Sequence, residues 1–203
     1  MTKQTYFTSD WHLHHKNVIT FNNRPFRDVN HMHEVLIANY NATVGKNDLC
    51  YFLGDVGFCS TDKLTPIINR LNGTKVLLLG NHDKKSRAYE NAGFDVVILN
   101  ATIKIGNEVV TMSHYPLYGV SREDTTKMRG IQKGDNWHKE QYYHSKGYVV
   151  ENKGQFHLHG HLHCSKDRSP VKEGKQWDVG VDGNKYTPVS IKNVESWIAL
   201  TKE

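Results

Sequence analysis

The chain is poor in cysteine: it has three, Cys50, Cys59 and Cys164, an odd number with no CxxC pair among them. That pattern argues against a disulfide framework and a thiolate zinc site, and it suits a reducing compartment. A run of roughly 18 or more apolar residues is also missing, which excludes a transmembrane helix. The opening TKQTYFTSDWH enters a strand-like run at once, without the apolar core of a signal peptide, so the expected location is cytoplasmic, with no membrane partner. Long Lys/Arg tracts are absent; the densest basic stretches, HDKKSR and SKDR, are short. The net charge of +5 still leans toward anionic partners such as nucleotides, phosphate esters or nucleic acid. Hydrophobic residues make up only 37% of the chain, yet runs such as LCYFLGD, KVLLLGN and EVVTMSH belong to a folded protein. A length of 203 residues fits one domain, residues 1–203, with a core that needs no staples.

What is present is a sequence of short apolar runs, each closed by a polar cluster. TYFTS (5–9) reads as a strand and 11–29 as irregular. Met32, Val35, Leu36 and Tyr40 recur at helical spacing, predicting a helix over about 31–43 with Asn30 as its N-cap. LCYFLGD (49–55) reads as a buried strand. Thr61 to Leu71 reads as a helix whose Pro66 argues for a later start. KVLLLGN (75–81) is a third strand, followed by a short helix over 84–92 closed by Gly93. This alternation predicts an α/β fold. DVVIL, TIKI and EVVTMS then look like consecutive strands, with QFHLHG, QWDVGV and SWIALT as later ones, so a more antiparallel sheet is expected to follow. Residues 119–154 are polar and weakly periodic, and read as an insertion that acts as a lid or binding loop.

Strand after strand ends in a candidate metal ligand: Asp10 and His12, then Asp55, then Asn81-His82-Asp83, then His114, then His161 and His163. A sheet that delivers a polar residue at each strand end builds a site along one edge. Carboxylates, an amide and several imidazoles are too many donors for one tetrahedral centre. They suit two ions sharing a carboxylate, an arrangement that clamps the attacking and departing oxygens of an in-line displacement. Mixed nitrogen and oxygen donors permit Mn, Fe, Zn, Ni or Co.

In order, DWH (10–12), GD (54–55), GNHD (80–83), His114 and GHLH (160–163) resemble the signature of the calcineurin-like metallophosphoesterase superfamily, and SHYP and WDVGVDGNKYTPVSI are similar to its small bacterial and phage phosphoesterases. The resemblance implies an α/β fold with mixed sheets, a four-layer α/β/β/α sandwich. It also implies that Asp10, His12, Asp55 and His163 hold one divalent ion, and that Asp55, Asn81, His114 and His161 hold the second. His82 would act at the leaving-group oxygen, and Asp83 would orient or cap locally. The implied activity is dinuclear-metal-dependent hydrolysis of a phosphoester, foremost a nucleotide or other small phosphodiester. A nuclease or nucleic-acid end-processing phosphatase, a broad phosphomonoesterase and a non-catalytic metal-binding scaffold are the alternatives. VGF follows Gly54-Asp55 in place of the Asp-Arg-Gly of protein phosphatases, which argues against a phosphoprotein substrate. Arg122, Lys127, Arg129 and Tyr115 are candidate substrate contacts. Trp11, Tyr115, Tyr118, Trp137, Tyr142 and Tyr143 are candidates for stacking on a base. In HLHGHLH (157–163), Gly160 is expected to turn the chain so that only His161 and His163 reach the ions, with His159 orienting a ligand and His157 structural. Oligomeric state is left open.

Overall fold

Strands β1 (Thr5–Thr8), β2 (Leu49–Phe52), β3 (Thr74–Leu78) and β4 (Val96–Ile98) run parallel, and β10 (Val189–Ser190) pairs antiparallel to β1 at the sheet edge. The computed structural model describes residues 3–83, 86–117, 147–163 and 171–202. A second five-stranded sheet has the order β5 (Asn100–Ile105), β6 (Glu108–Ser113), β7 (Phe156–His159), β9 (Gln176–Asp178) and β8 (Val171–Glu173).

Alternation along the strands explains the layering. Phe7, Val76 and Leu78 point to one face of the first sheet and meet Val110, Met112, Phe156, Leu158 and Trp177 of the second, so the two sheets share one core. Cys50, Phe52 and Leu77 point the other way, to a core with Met32, Leu36, Ile37, Tyr40, Leu64, Ile68 and Ala92. Those residues come from α2 (Val29–Thr43), α3 (Thr61–Ile68) and α4 (Ser86–Ala92), with Val18 added by the short α1 (Lys16–Phe21). The last helix, α5 (Ile191–Thr201), puts Val194, Trp197 and Ile198 into the intersheet core, where the Trp197 ring stands edge-on to Phe156 at 5.2 Å and to Trp177 at 5.5 Å. The result is a mixed α/β sandwich. Most of the 119–154 insertion falls outside the described residues.

Local departures from the sequence expectations have identifiable causes. Helix α1 lies in a stretch that reads as irregular, because KNVITF has a single buried residue and no capping side chain. Helix α2 begins earlier than its apolar stripe, and its cap is Asp28, which accepts from His31 N at 2.8 Å; Asn30 is not the cap. Helix α3 starts at Thr61 and tolerates Pro66 because it ends two residues later, so only one internal hydrogen bond is lost. SWIALT is helical: Ser190 and Asn193 form a capping box, and Ile191, Val194, Trp197 and Ile198 follow a helical stripe. The second sheet is mixed and not mainly antiparallel, since β7 runs parallel to both β6 and β9. Cys50 and Cys59 are free thiols. Among the described residues no helix is long and apolar enough to cross a membrane.

Candidate metal centre

The predicted ligands lie beyond the carboxyl ends of β1, β2, β3, β6 and β7, on one rim shared by the two sheets. Backbone hydrogen bonds knit that rim: Asp10 N donates to Gly54 O at 3.1 Å, His12 N to Asp55 O at 3.0 Å, and Gly160 N to His114 O at 3.0 Å. Asp10, His12, Asp55, His161 and His163 all have positive φ, between 50° and 72°. For side chains other than glycine this left-handed region costs about 1 kcal/mol or more each. Two glycines allow the close approach. A Cβ on Gly160 would stand 2.0 Å from Ser9 Oγ and 2.4 Å from Asp10 Oδ2, and one on Gly80 would stand 2.2 Å from Asp55 Oδ1.

Two groups of donors converge on either side of Asp55. In the first, the ligand atoms of Asp10, His12, Asp55 and His163 lie within 4.8 Å of one another and could hold a metal ion. His12 Nε2 and His163 Nε2 are 2.9 Å apart, and Asp55 Oδ2 is 3.7 Å from His12 Nε2. Asp10 Oδ1 is 3.6 Å from His163 Nε2; it is buried and has no hydrogen-bond partner. In the second group, Asn81 Oδ1 is 2.8 Å from His114 Nε2 and 3.0 Å from His161 Nδ1, and Asp55 Oδ2 is 3.4 Å from His114 Nε2. His114 is oriented by the Leu53 carbonyl, 2.8 Å from Nδ1. An Nδ1–H donated there leaves the Nε2 lone pair facing the oxygens of Asn81 and Asp55. Acceptors facing acceptors in a buried site call for a cation, and the donor set fits a divalent metal.

The charges tell the same story. Burial pushes Asp10 up to about 6, against the pull of His163 and His114. Burial would also raise Asp55, but His114 and His12 hold it below the usual carboxylate range. Burial opposes a proton on His114, yet the Asp55 carboxylate raises it to about 10. Burial lowers His161 to about 3 and His12 to about 2. A second proton on His114, at the Nε2 that faces Asp55 and Asn81, thus stands where a cation would bind, while Asp10, at about 6, is mostly ionised at pH 7.

Surrounding groups hold these side chains in place. The Asp83 carboxylate accepts from Asp55 N at 2.7 Å, Val56 N at 3.1 Å and Gly80 N at 2.8 Å, so it ties two ligand loops together and does not face the donor groups. Asp55 Oδ1 accepts from His82 N at 2.9 Å, and Asp10 Oδ2 from His161 N at 2.9 Å. Arg24 and Asp182, which sequence patterns did not single out, form a buried pair. Nε and Nη2 of Arg24 each donate to Asp182 at 2.8 Å, while Nη2 also donates to Asp10 O and Nη1 to Trp11 O. Asp182 Oδ2 in turn lies 3.4 Å from His163 Nδ1, which the Asn22 amide also contacts. The sequence signal was present in NNRP and VDGN, but nothing local links them.

His82 stands at the mouth of the cluster, its side chain 42% exposed and Nε2 3.9 Å from Asp55 Oδ2. Tyr115 is buried, its ring 4.6 Å from that of His161. His157 and His159 lie buried in β7 with their rings stacked 5.9 Å apart. His157 lies 2.8 Å from Thr111 Oγ1 and 2.9 Å from Tyr115 O, and His159 Nδ1 lies 2.8 Å from Gly160 O. The structure therefore separates the four histidines of HLHGHLH, two in the strand and two at the donor groups. Arg122, Lys127 and Arg129 lie outside the described residues.

No family model matches the chain. An uncharacterized protein of Methanocaldococcus jannaschii is 37% identical over 103 residues, 48% of this chain and 58% of that protein's length. The gene 66 protein of Mycobacterium phage D29 is 29% identical over 196 residues, 87% of each chain. The crystal structure of a protein of unknown function from Aquifex aeolicus aligns with a TM-score of 0.67 over 97% of this chain and all of that one, at 24% identity. That likeness establishes a shared fold.

Proposed function

We propose that the chain hydrolyses a phosphoester with two divalent metal ions, the substrate being a nucleotide or another small phosphodiester. The observation that carries this reading is the position of Asp55 Oδ2, 3.7 Å from His12 Nε2 and 3.4 Å from His114 Nε2, between two sets of buried and partly buried donors. Asp10, His12, Asp55 and His163 would hold one ion; Asp55, Asn81, His114 and His161 would hold the other. Ions bound there supply Lewis-acid polarisation of the phosphoryl oxygens and a clamp for in-line displacement. With two carboxylates against two dications the site stays net positive, which favours an anionic substrate. Asp83 and the Arg24–Asp182 pair fix the loops. His82, at the solvent side, would donate a proton to the departing ester oxygen. The donor chemistry admits Mn, Fe, Zn, Ni or Co.

The test is metal content together with turnover. Protein loaded with manganese should bind two ions per chain and hydrolyse bis-p-nitrophenyl phosphate faster than p-nitrophenyl phosphate. Full metal loading without turnover of either ester would instead favour a non-catalytic scaffold, and faster monoester turnover would shift the reading to a phosphomonoesterase.

A further inference from the structure

Two phenylalanines break the usual rule for apolar side chains, and both flank the mouth of the candidate centre. Phe58 is 48% exposed and Phe21 is 74% exposed. Phe58 is not a loose surface residue. Its backbone N donates to Leu13 O at 2.8 Å, and Leu13 and Gly57 form a parallel bridge, which fixes it to the loop that carries His12. Gly57 lies so close to α3 that a Cβ there would be 2.7 Å from Leu64. The Phe58 ring is backed by His15, stacked at 4.6 Å and 24°. It stands 4.6 Å from the His82 ring and 6.3 Å from the His12 ring. His15 also meets Phe21, edge-on at 6.3 Å. An aromatic ledge thus begins at His82 and runs outward from the donor groups.

Of the aromatic residues considered from sequence, Trp11 and Tyr115 do not offer such a surface. Trp11 is fully buried against Tyr40 and Phe52, with its Nε1 donating to Thr8 Oγ1, and Tyr115 is buried too. Tyr118, Trp137, Tyr142 and Tyr143 lie outside the described residues.

Resting on the phosphoester reading above, we infer that Phe58, backed by His15 and bordered by Phe21, is a stacking surface that selects phosphoesters carrying a planar ring, a nucleobase being the matching chemistry. A phosphate held by ions at the two donor groups would bring its ester oxygen toward His82, and a base joined through one sugar would then come over the exposed Phe58 ring. Stacking uses only the face of the ring, so it favours a base over no base without reading which base it is.

Binding calorimetry on the manganese-loaded chain tests this with three probes: inorganic phosphate, ribose 5-phosphate and adenosine 5′-monophosphate. The native chain should bind the adenosine ester about tenfold or more tightly than the sugar phosphate. Phe58→Ala and Phe58→Leu should remove that preference, with metal content and sugar-phosphate affinity unchanged, and Phe58→Trp should restore it. Leucine keeps the site apolar and guards against a folding defect in the alanine variant. Equal affinity for the two esters in the native chain, or a preference that survives both variants, overturns the ledge alone. Failure of all three probes to bind, together with no turnover of bis-p-nitrophenyl phosphate, overturns the phosphoester reading and the ledge with it.

Discussion

Arg24 and Asp182, 158 residues apart, meet as a buried pair joined by two hydrogen bonds, and the same guanidinium reaches the Asp10 and Trp11 carbonyls. The pair connects the first ligand loop to the loop after β9 and touches His163 through Asp182. Arg24→Met would take the guanidinium away from a buried carboxylate, at a cost of about 3–5 kcal/mol in urea unfolding. Asp182→Asn should cost less stability but lower manganese affinity by about 10- to 100-fold, because His163 then faces a neutral amide in place of a carboxylate. Unchanged affinity in Asp182→Asn would show that His163 does not depend on this contact.

Gly160→Ala should abolish metal binding and destabilise the chain by more than about 2 kcal/mol, at the high end of single substitutions. The reason is space, since the new Cβ would overlap Ser9 Oγ and crowd Asp10. Gly106→Ala is the control. Gly106 has φ +59° and nothing within 4 Å of where an added methyl would stand, so it should cost only about 1 kcal/mol, from backbone strain, and leave metal binding intact. Equal effects at the two sites, read by unfolding and metal titration, would remove the steric explanation.

Histidine replacements should fall into three groups. His161→Ala and His163→Ala should lose metal and activity together. His82→Ala should keep the full metal content while turnover falls about 10²- to 10⁴-fold, the size of a general acid's contribution. His157→Ala should keep metal and lose stability, because it empties a buried hydrogen-bonded position. Metal loss in His82→Ala would contradict its place outside the two donor groups.

Acid should weaken the fold through His157. Burial, reinforced by the neighbouring His159, holds its pKa down at about 3 against an ordinary value of 6.5. The unfolded chain therefore takes up the proton first. The stabilisation is fully present above about pH 6.5 and is lost as pH falls toward 3, at about 1.4 kcal/mol per pH unit for this one group. His157→Gln should flatten the stability profile by that slope between about pH 6 and 4, measured on chelator-treated protein. Parallel profiles would mean that His157 is not held neutral.

That the donor residues would meet on one rim was legible because each lies just after a strand: Asp55, Asn81 and His161 directly follow a glycine, and Asp10 and His114 a serine. The end of the strand within HLHGHLH was also readable, since Gly160 is the one residue there able to accept the approach of Ser9 and Asp10. What could not be read depends on distance along the chain or on conformation. Arg24 finds Asp182 only after both sheets are assembled. Phe58 looks like a core residue in sequence, and only the bridge between Leu13 and Gly57 turns its ring outward. The left-handed backbone at Asp10, His12 and Asp55 is invisible in composition, because tertiary contacts impose it. SWIALT failed for another reason: a short apolar run fits either periodicity, and the capping box at Ser190 decided between them.

The placement of the donors also has a consequence for how the chain assembles. Asp10, His12, Asp55 and Asn81 come from loops of the first sheet, while His114, His161 and His163 follow strands of the second. On the proposed ligand assignment neither half has a complete set, so full coordination would wait until the two sheets have docked. An ion shared in this way would act as a rivet across the intersheet core, adding about 2.7 kcal/mol to the fold at a free concentration about a hundred times its dissociation constant. Metal supply would then govern how long the folded chain persists as well as how fast it works.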